Sequence, residues 1–471
     1  MVFSSVDFLF LFLPVFLLAQ FFLPYRNATF VVFSAVFYFI GEGWYTSVIA
    51  VSVVANYVFG LAIDRAVPGS PKKWAVGLGV SANLALLFFF KYAGFFAVNF
   101  AGAGQGSWIT SIHLPLGISF FTFHAISYLV DIYRHDAKAE KSFVNLSLYM
   151  LMFPQLIAGP ILRFHTVARQ LKRRVVTGRN IYYGGVLFCF GLGQKVLLAD
   201  TMASVADPLF ARWEALSPET AWLATIAYAL QIFFDFAGYS NMAIGLGWIT
   251  GFHFPRNFNY PYISRSITEF WQRWHMSLSR WFRDYLYIPL GGNRHGNLRT
   301  YRNLMIVFLL CGLWHGAAWT FVLWGAYYGL LLVIERLGFE QLLRKAPALL
   351  QHAYALLAIA VGWVLFRSNT MDQAAGMLGR MFFLVRPVDV PLDSAIDGRQ
   401  LAALIAAIVL STPVVATLLR RLMSMPAPSP WPRQVSTIHY AVGVVVSVTV
   451  LGASAVKVLT GSYSPFIYFR F

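Results

Sequence analysis

Apolar residues run along this chain in blocks rather than in alternation. Phe8–Phe22, Val51–Ile63, Ala353–Phe366, Leu401–Leu419 and Tyr440–Val456 contain no charged residue. Apolar runs of roughly 18–20 residues match the length of a helix that crosses a bilayer. Lipid leaves only helices and closed barrels with satisfied backbones, and these blocks lack the two-residue repeat of a barrel strand. The pattern therefore predicts an all-α polytopic membrane protein with about eleven or twelve transmembrane helices. Met1–Asp7 carries no basic residue and no small-residue cleavage pattern follows. Phe8–Leu23 therefore reads as a retained first span and not as a removable signal.

Composition agrees with the pattern. Hydrophobic residues make up 58% of the 471 and charged residues 12%, about half the charged share of a soluble domain. The net charge of +17 would suggest nucleic acid on a soluble protein. Here the basic residues fall in short loops between apolar blocks, as expected on the cytoplasmic side of a membrane. Arg26, Arg65, Lys72, Lys73, Arg134, Lys138 and Lys141 follow the first, third and fifth spans, the fifth running over Leu114–Tyr133. The turns Gly41–Trp44 and Ala101–Ser107 carry no basic residue. This alternation puts the N-terminus outside. Lys91 interrupts the fourth span, where a long side chain can snorkel. Cys189 and Cys311 give neither a disulfide framework nor metal-ligand spacing.

One segment breaks the alternation. Leu146–Leu162 is apolar but lies between Arg134–Lys141 and the basic Arg163–Arg179. A single crossing cannot have both ends inside. Pro154 and Ala158-Gly159-Pro160 also break helices. The segment is expected to be re-entrant, which is tolerated at membrane depth only when buried in protein or lining a cavity. A span over Tyr183–Leu198 then leads to an exterior loop, Asp200–Thr220, that holds Asp200, Asp207, Glu214 and Glu219. Ala221–Ile249 returns to a long basic cytoplasmic loop, Arg256–Arg302. Leu304–Ile334 is too long for one span and has basic residues at both ends, so it predicts a hairpin. Three further spans are expected near 350–366, 400–419 and 438–460, with Val385–Gln400 as an exterior loop. Nothing in the chain separates domains, so 1–471 reads as one membrane-embedded domain.

Most of the ten histidines have ordinary settings: His135, His165 and His295 lie in basic loops, and His113 and His439 near span ends. Two do not. His315, in Gly312-Leu313-Trp314-His315-Gly316-Ala317-Ala318-Trp319, lies deep in an apolar stretch, where an ionisable group is costly and marks function. Its flanking glycines let another backbone or a substrate come close. His275 lies in Ser264–Gly292, where Ser266-Ile267-Thr268-Glu269 reads as a capping box. Beyond it, aromatic residues on one face and Arg265, Glu269, Arg273, Arg280 and Arg283 on the other describe a helix in the cytoplasmic interface. His275 falls at the edge of its apolar face, and the helix either only anchors the protein or turns His275 into a cavity. Asp235, inside the apolar run 226–249, must be paired, as a structural partner or as the orienter of a base. Cys311 and His315 share a helical face, and a buried structural thiol is the ordinary reading of Cys311. From these residues alone the chain is an enzyme with its base in a tunnel, or a transporter with a midplane site between broken helices. The two halves show no symmetric pair of interrupted segments, which weighs against the transporter.

Seven motifs then occur in order over residues 1–335. They are Met1–Ser5 with Phe8–Pro14; Leu116-Gly117-Ile118-Ser119-Phe120; Phe153–Pro160; Phe234-Asp235-Phe236-Ala237-Gly238-Tyr239-Ser240; Phe270-Trp271-Gln272-Arg273-Trp274-His275-Met276-Ser277-Leu278-Ser279; Asp284–Arg294, with Asn293; and Gly312–Gly316. Together they resemble the membrane-bound O-acyltransferase family, in its bacterial branch that acetylates exopolysaccharides such as alginate. Residues beyond about 350 are less similar. The resemblance implies a ring of helices around a thinned centre, with His315 as the active-site histidine and His275 at a second polar position near a tunnel mouth. Asp235, Tyr239, Arg273, Trp274, Asn293 and Trp314, in the same motifs, and Arg280, just after one of them, become candidates for lining the tunnel or holding the acyl donor. It also implies acetyl-coenzyme A as donor substrate with no tightly bound cofactor or metal, an exported partner protein that acetylates the polymer, a bacterial inner-membrane location and no nucleic acid. The branch often has an acid after Tyr239-Ser240. Here Asn241 stands there, so no charge-dependent role falls to that position. Transfer from a thioester to a hydroxyl needs a base and donors for an oxyanion, and buried neutral His315 suits the base. Arg273, Arg280 and Arg283 suit either coenzyme A phosphates or anionic lipid.

Overall fold

The computed structural model describes residues 2–67, 69–102, 104, 106–156, 159–384, 395–422 and 437–461. Among these, all regular structure is helical. Seven helices are long and apolar enough to cross a membrane: Arg26–Arg65, Ser70–Phe100, Gly178–Ala211, Pro218–Ile249, Trp319–Lys345, Ala348–Arg367 and Tyr440–Thr460. Shorter apolar helices cover Phe8–Phe22, Ile118–Tyr133, Phe143–Leu156 and Gly398–Leu410. The chain forms two compact units, Met1–Phe188 with Ser240–Pro255, and Cys189–Tyr239 with Arg256–Phe471.

In the first unit the expected re-entrant segment is broken at Met152. A helix over Phe143–Leu151 ends at Met152, whose φ and ψ of −49° and 106° are not helical. One further turn, Phe153–Leu156, follows. Ile157 and Ala158 of the predicted break lie outside the described residues. At 1.5 Å per residue, neither piece approaches the ~30 Å of a hydrocarbon core. Pro154 sits at the second position of its turn, where a missing N–H has no intrahelical partner to lose. Phe153 is the hub of the unit's core. The rings of Phe3, Phe8, Phe12, Phe16, Phe30 and Phe37 surround it at centroid distances of 6.0, 6.1, 5.4, 5.0, 5.7 and 5.3 Å. The N-terminal motif and the re-entrant motif thus build one aromatic core. Lys91 lies in a π-helical turn, Phe88–Tyr92, and its Nζ donates to Ser119 Oγ at 3.4 Å.

The second unit departs from expectation in four places. The acidic exterior loop over 200–220 begins as helix: Asp200–Ala211 continues the helix that starts at Gly178. Its acids need no water because cations meet them. Lys195 Nζ lies 2.6 Å from Asp200, and Arg367 lies 2.9 Å from Asp207. The expected interfacial helix is two short helices, Ile267–Arg273 and Met276–Phe282, with Trp274 and His275 between them. Only half of the capping box forms: Ser266 Oγ accepts from Glu269 N at 3.0 Å, while the Glu269 carboxylate accepts from Arg265 N at 2.9 Å. The span expected near 400–419 stops at Leu410 and restarts at Val414, because Pro413 cannot donate to the preceding turn. Most of the expected loop 385–400 lies outside the described residues.

The predicted hairpin is present. Asn297–His315 and Trp319–Ile334 are separate helices joined by an extended Gly316. They pack through glycines. A Cβ on Gly312 would collide with the Phe321 carbonyl, and one on Gly325 with the Phe308 carbonyl. The space beside Gly316 is filled by the Phe321 ring. These glycines therefore serve helix packing, and the room for a substrate that the sequence suggested beside them is taken.

Candidate active site

The site lies wholly in the second unit and is assembled at two interruptions of helical structure. The first is the hairpin turn. Trp314 and His315 are the last residues of their helix, and both are 4% exposed. Three rings pack about the His315 imidazole: Trp314 at 4.9 Å, Trp324 at 5.1 Å and Phe366 at 5.0 Å between centroids. The Trp324 indole N–H has no hydrogen-bond partner among the described residues.

The second interruption is the break at Trp274–His275. His275 adopts φ 41° and ψ 53°, the left-handed region that costs a side-chain-bearing residue about 1 kcal/mol or more. The kink turns its ring inward from the helix edge where a continuous helix would have placed it, and leaves it fully buried. Phe236 packs edge-on at 4.5 Å, Phe258 lies parallel at 6.5 Å and Trp314 tilts at 6.3 Å. Neither ring nitrogen has a partner among the described residues. Burial holds the imidazole far below its ordinary pKa, at about 3, so it is neutral at any physiological pH. A buried polar group left unbonded costs about 1–3 kcal/mol. Both histidines thus touch one indole, that of Trp314, from different elements.

The other predicted residues divide. Trp274 is buried against Trp363, Phe258 and Phe270 at 4.8, 5.0 and 5.7 Å, and so continues the aromatic wall. Asp235 turns to a cation: its Oδ1 is 2.8 Å from Lys195 Nζ. Of the two roles the sequence left open, this pairing is the one a structural partner needs. Tyr239, one turn further along the same helix, is buried as well. Arg273 is bound to Glu269 at 2.8 Å and donates to Asn259 O at 3.1 Å, and Arg283 is bound to Asp284 at 2.7 Å. Arg280 is half-buried, and Asn293 is exposed in the glycine-containing loop before Asn297. Asn293 is not brought to the histidines. Among the described residues no cluster of three His, Cys, Asp or Glu could hold a metal ion.

Comparison with known proteins decides what such a site belongs to. Residues 136–366 match the model of the membrane-bound O-acyltransferase family. A probable alginate O-acetylase of Pseudomonas putida is 41% identical over the whole of both chains. The chain belongs to the membrane-bound O-acyltransferase family. A probable alginate O-acetylase of Pseudomonas aeruginosa is 44% identical over 81% of this acyltransferase and 75% of its own length. A peptidoglycan O-acetyltransferase of Helicobacter pylori is 37% identical over 81% and 80%. The transporter reading finds no support among these relatives.

Several residues that shape this O-acyltransferase's site escaped the sequence reading. Lys195 was visible in principle, being a lysine inside the predicted span 183–198, and such residues are functional or paired by default. Glu335 was not. Its buried carboxylate accepts from Ile267 N at 2.6 Å, from Thr268 N at 2.8 Å and from the Thr268 hydroxyl at 2.6 Å. It thereby fixes the start of the helix that ends at the His275 break. Trp324, Trp363 and Phe366 sit in uniformly apolar runs and carry no sequence signal.

Proposed function

We propose that this acyltransferase moves acetyl groups from cytoplasmic acetyl-coenzyme A toward an exopolysaccharide, with an exported partner protein completing the transfer. The observation that carries the reading is the pair of buried histidines sharing the Trp314 indole, one with both ring nitrogens unbonded. A relative named for alginate, alike over its full length, supports a polymer of that kind, and the whole chain acts as one acyltransferase. His315 is the general base. It takes the proton as the acceptor oxygen attacks the thioester carbonyl, and returns it to the sulfur as the C–S bond breaks. His275 orients the donor or stabilises the developing oxyanion through a ring N–H. The aromatic walls keep water from competing with the acceptor. Arg273, Arg280 and Arg283, all on this pair of short helices or at its end, are the candidates to attract coenzyme A phosphates. The protein sits in the bacterial inner membrane with its N-terminus outside and its basic loops in the cytoplasm.

The test is polymer composition in the native host. Cells carrying His315→Ala should secrete polymer in normal amount without acetyl esters. Loss of the secreted polymer itself would contradict an acetylation role and point to export.

A further inference from the structure

The break that buries His275 has no proline or glycine to cause it. Trp274 and His275 are flanked by ordinary helix formers, and a left-handed histidine persists only when its surroundings over-determine it. Those surroundings are three consecutive residues, Asn257-Phe258-Asn259. Asn259 N donates to Arg273 O at 2.9 Å, and Arg273 Nη1 donates back to Asn259 O at 3.1 Å. On the other side of the break, Met276 N donates to Asn257 O at 2.9 Å. Ser277 donates twice to Asn257 Oδ1, from its backbone N at 3.2 Å and from its hydroxyl at 2.8 Å. Between the two asparagines, Phe258 lies parallel to the imidazole, with 14° between the ring planes.

The strap thus grips both ends of the break and stacks on the ring between them. Among the described residues, every donor that Asn257 Oδ1 receives comes from Ser277, two residues from His275. Asn257 is 1% exposed, so its side chain cannot be replaced there by water at no cost. Backbone satisfaction alone would be met by the Asn257 and Asn259 main chain, which any residue type supplies. The amide side chain adds the second grip on the helix that His275 begins.

We infer that Asn257 is the positioning residue for His275, setting through Ser277 the turn that aims the imidazole into the site. This rests on the functional reading of His275 given above. In membranes of the native host supplied with radiolabelled acetyl-coenzyme A, Asn257→Ala should raise the KM for acetyl-coenzyme A in the same direction as His275→Ala. A merely structural role would lower the amount of active enzyme without moving KM. Ser277→Ala, which removes the hydroxyl bond to Asn257 and keeps the backbone one, should give the same shift more weakly and protects the test against misfolding. Combined with His275→Ala, Asn257→Ala should change the rate per folded protein less than twofold, because the residue it positions is gone. Equal losses in both backgrounds, an unchanged KM in Asn257→Ala, or failure of both Asn257→Ala and Ser277→Ala to accumulate would overturn the proposal. Full activity of His275→Ala would instead remove the functional reading of His275 itself.

Discussion

Each unit of this acyltransferase contains a buried helix break with a fully buried histidine beside it, and the two histidines are used differently. In the first unit, side chains hold the described residues on either side of the break. Tyr149 donates its hydroxyl to Leu162 O at 2.9 Å, Gln155 Nε2 donates to Tyr149 O at 2.6 Å, and His124 Nε2 accepts from Leu162 N at 3.3 Å. That bond leaves only Nδ1 of His124 over. In the second unit, the strap 257–259 satisfies the backbone of the break, and His275 keeps both nitrogens. A histidine bonded to the backbone it stabilises is committed to the fold. One whose backbone is held by others remains available to a ligand.

The comparison can be broken most severely at the ion cluster of the second unit. Lys195 is 1% exposed and holds both Asp200 and Asp235. Lys195→Met should leave the buried Asp235 and the half-buried Asp200 without it, at about 3–5 kcal/mol. The protein should then fail to accumulate in the membrane, as immunoblotting would read. Next in size is His275→Ala, which should lower transfer by up to about tenfold, the worth of one hydrogen bond. Its fall should appear largely as a weaker KM for the donor. This variant also has a pH signature. Burial favours neutral imidazole, so the folded protein resists protonation there. The stability that follows is whole above the ordinary pKa of 6.5 and is lost as pH falls from 6.5 toward about 3. The thermal midpoint of His275→Ala should therefore drop less than that of the parent between pH 7 and pH 4.

Tyr149→Phe sharpens the contrast from the first unit. It removes the hydroxyl that bonds Leu162 O and Ser127, which should cost about 1–3 kcal/mol of stability. The KM should stay put, since the bonds this hydroxyl makes lie within the first unit. Cys311→Ser should have the smallest effect. The thiol is buried one turn before His315 on the same helix, and no step is assigned to it. Loss of transfer in Cys311→Ser with normal protein level would instead point to a covalent route through this cysteine.

How much of this was legible in the sequence follows from the same two breaks. The first announced itself through Pro154, Gly159 and Pro160 between two basic flanks, because proline acts on the local backbone. The hairpin was legible for a similar reason, as an apolar length too great for one crossing. The His275 break was not, since it is imposed by Asn257 and Asn259, residues distant in sequence from His275 that donate and accept across space. Helical spacing placed the imidazole at the rim of a continuous helix and so underrated its burial. The acidic residues 200–207 read as loop but form helix, for the converse reason. Charge alone suggested water, whereas Lys195 and Arg367 neutralise them within the helical unit.

The most direct test of the central claim sets one histidine of each unit against the other. Transfer from acetyl-coenzyme A would be measured in native membranes for His315→Ala and His124→Ala, each normalised to the amount of accumulated protein. A general base supplies roughly 10²–10⁴-fold in rate, so His315→Ala should show no transfer above background while His124→Ala keeps at least half of the parent rate per molecule. Measurable transfer by His315→Ala, or a loss in His124→Ala as deep as that in His315→Ala, would contradict the account.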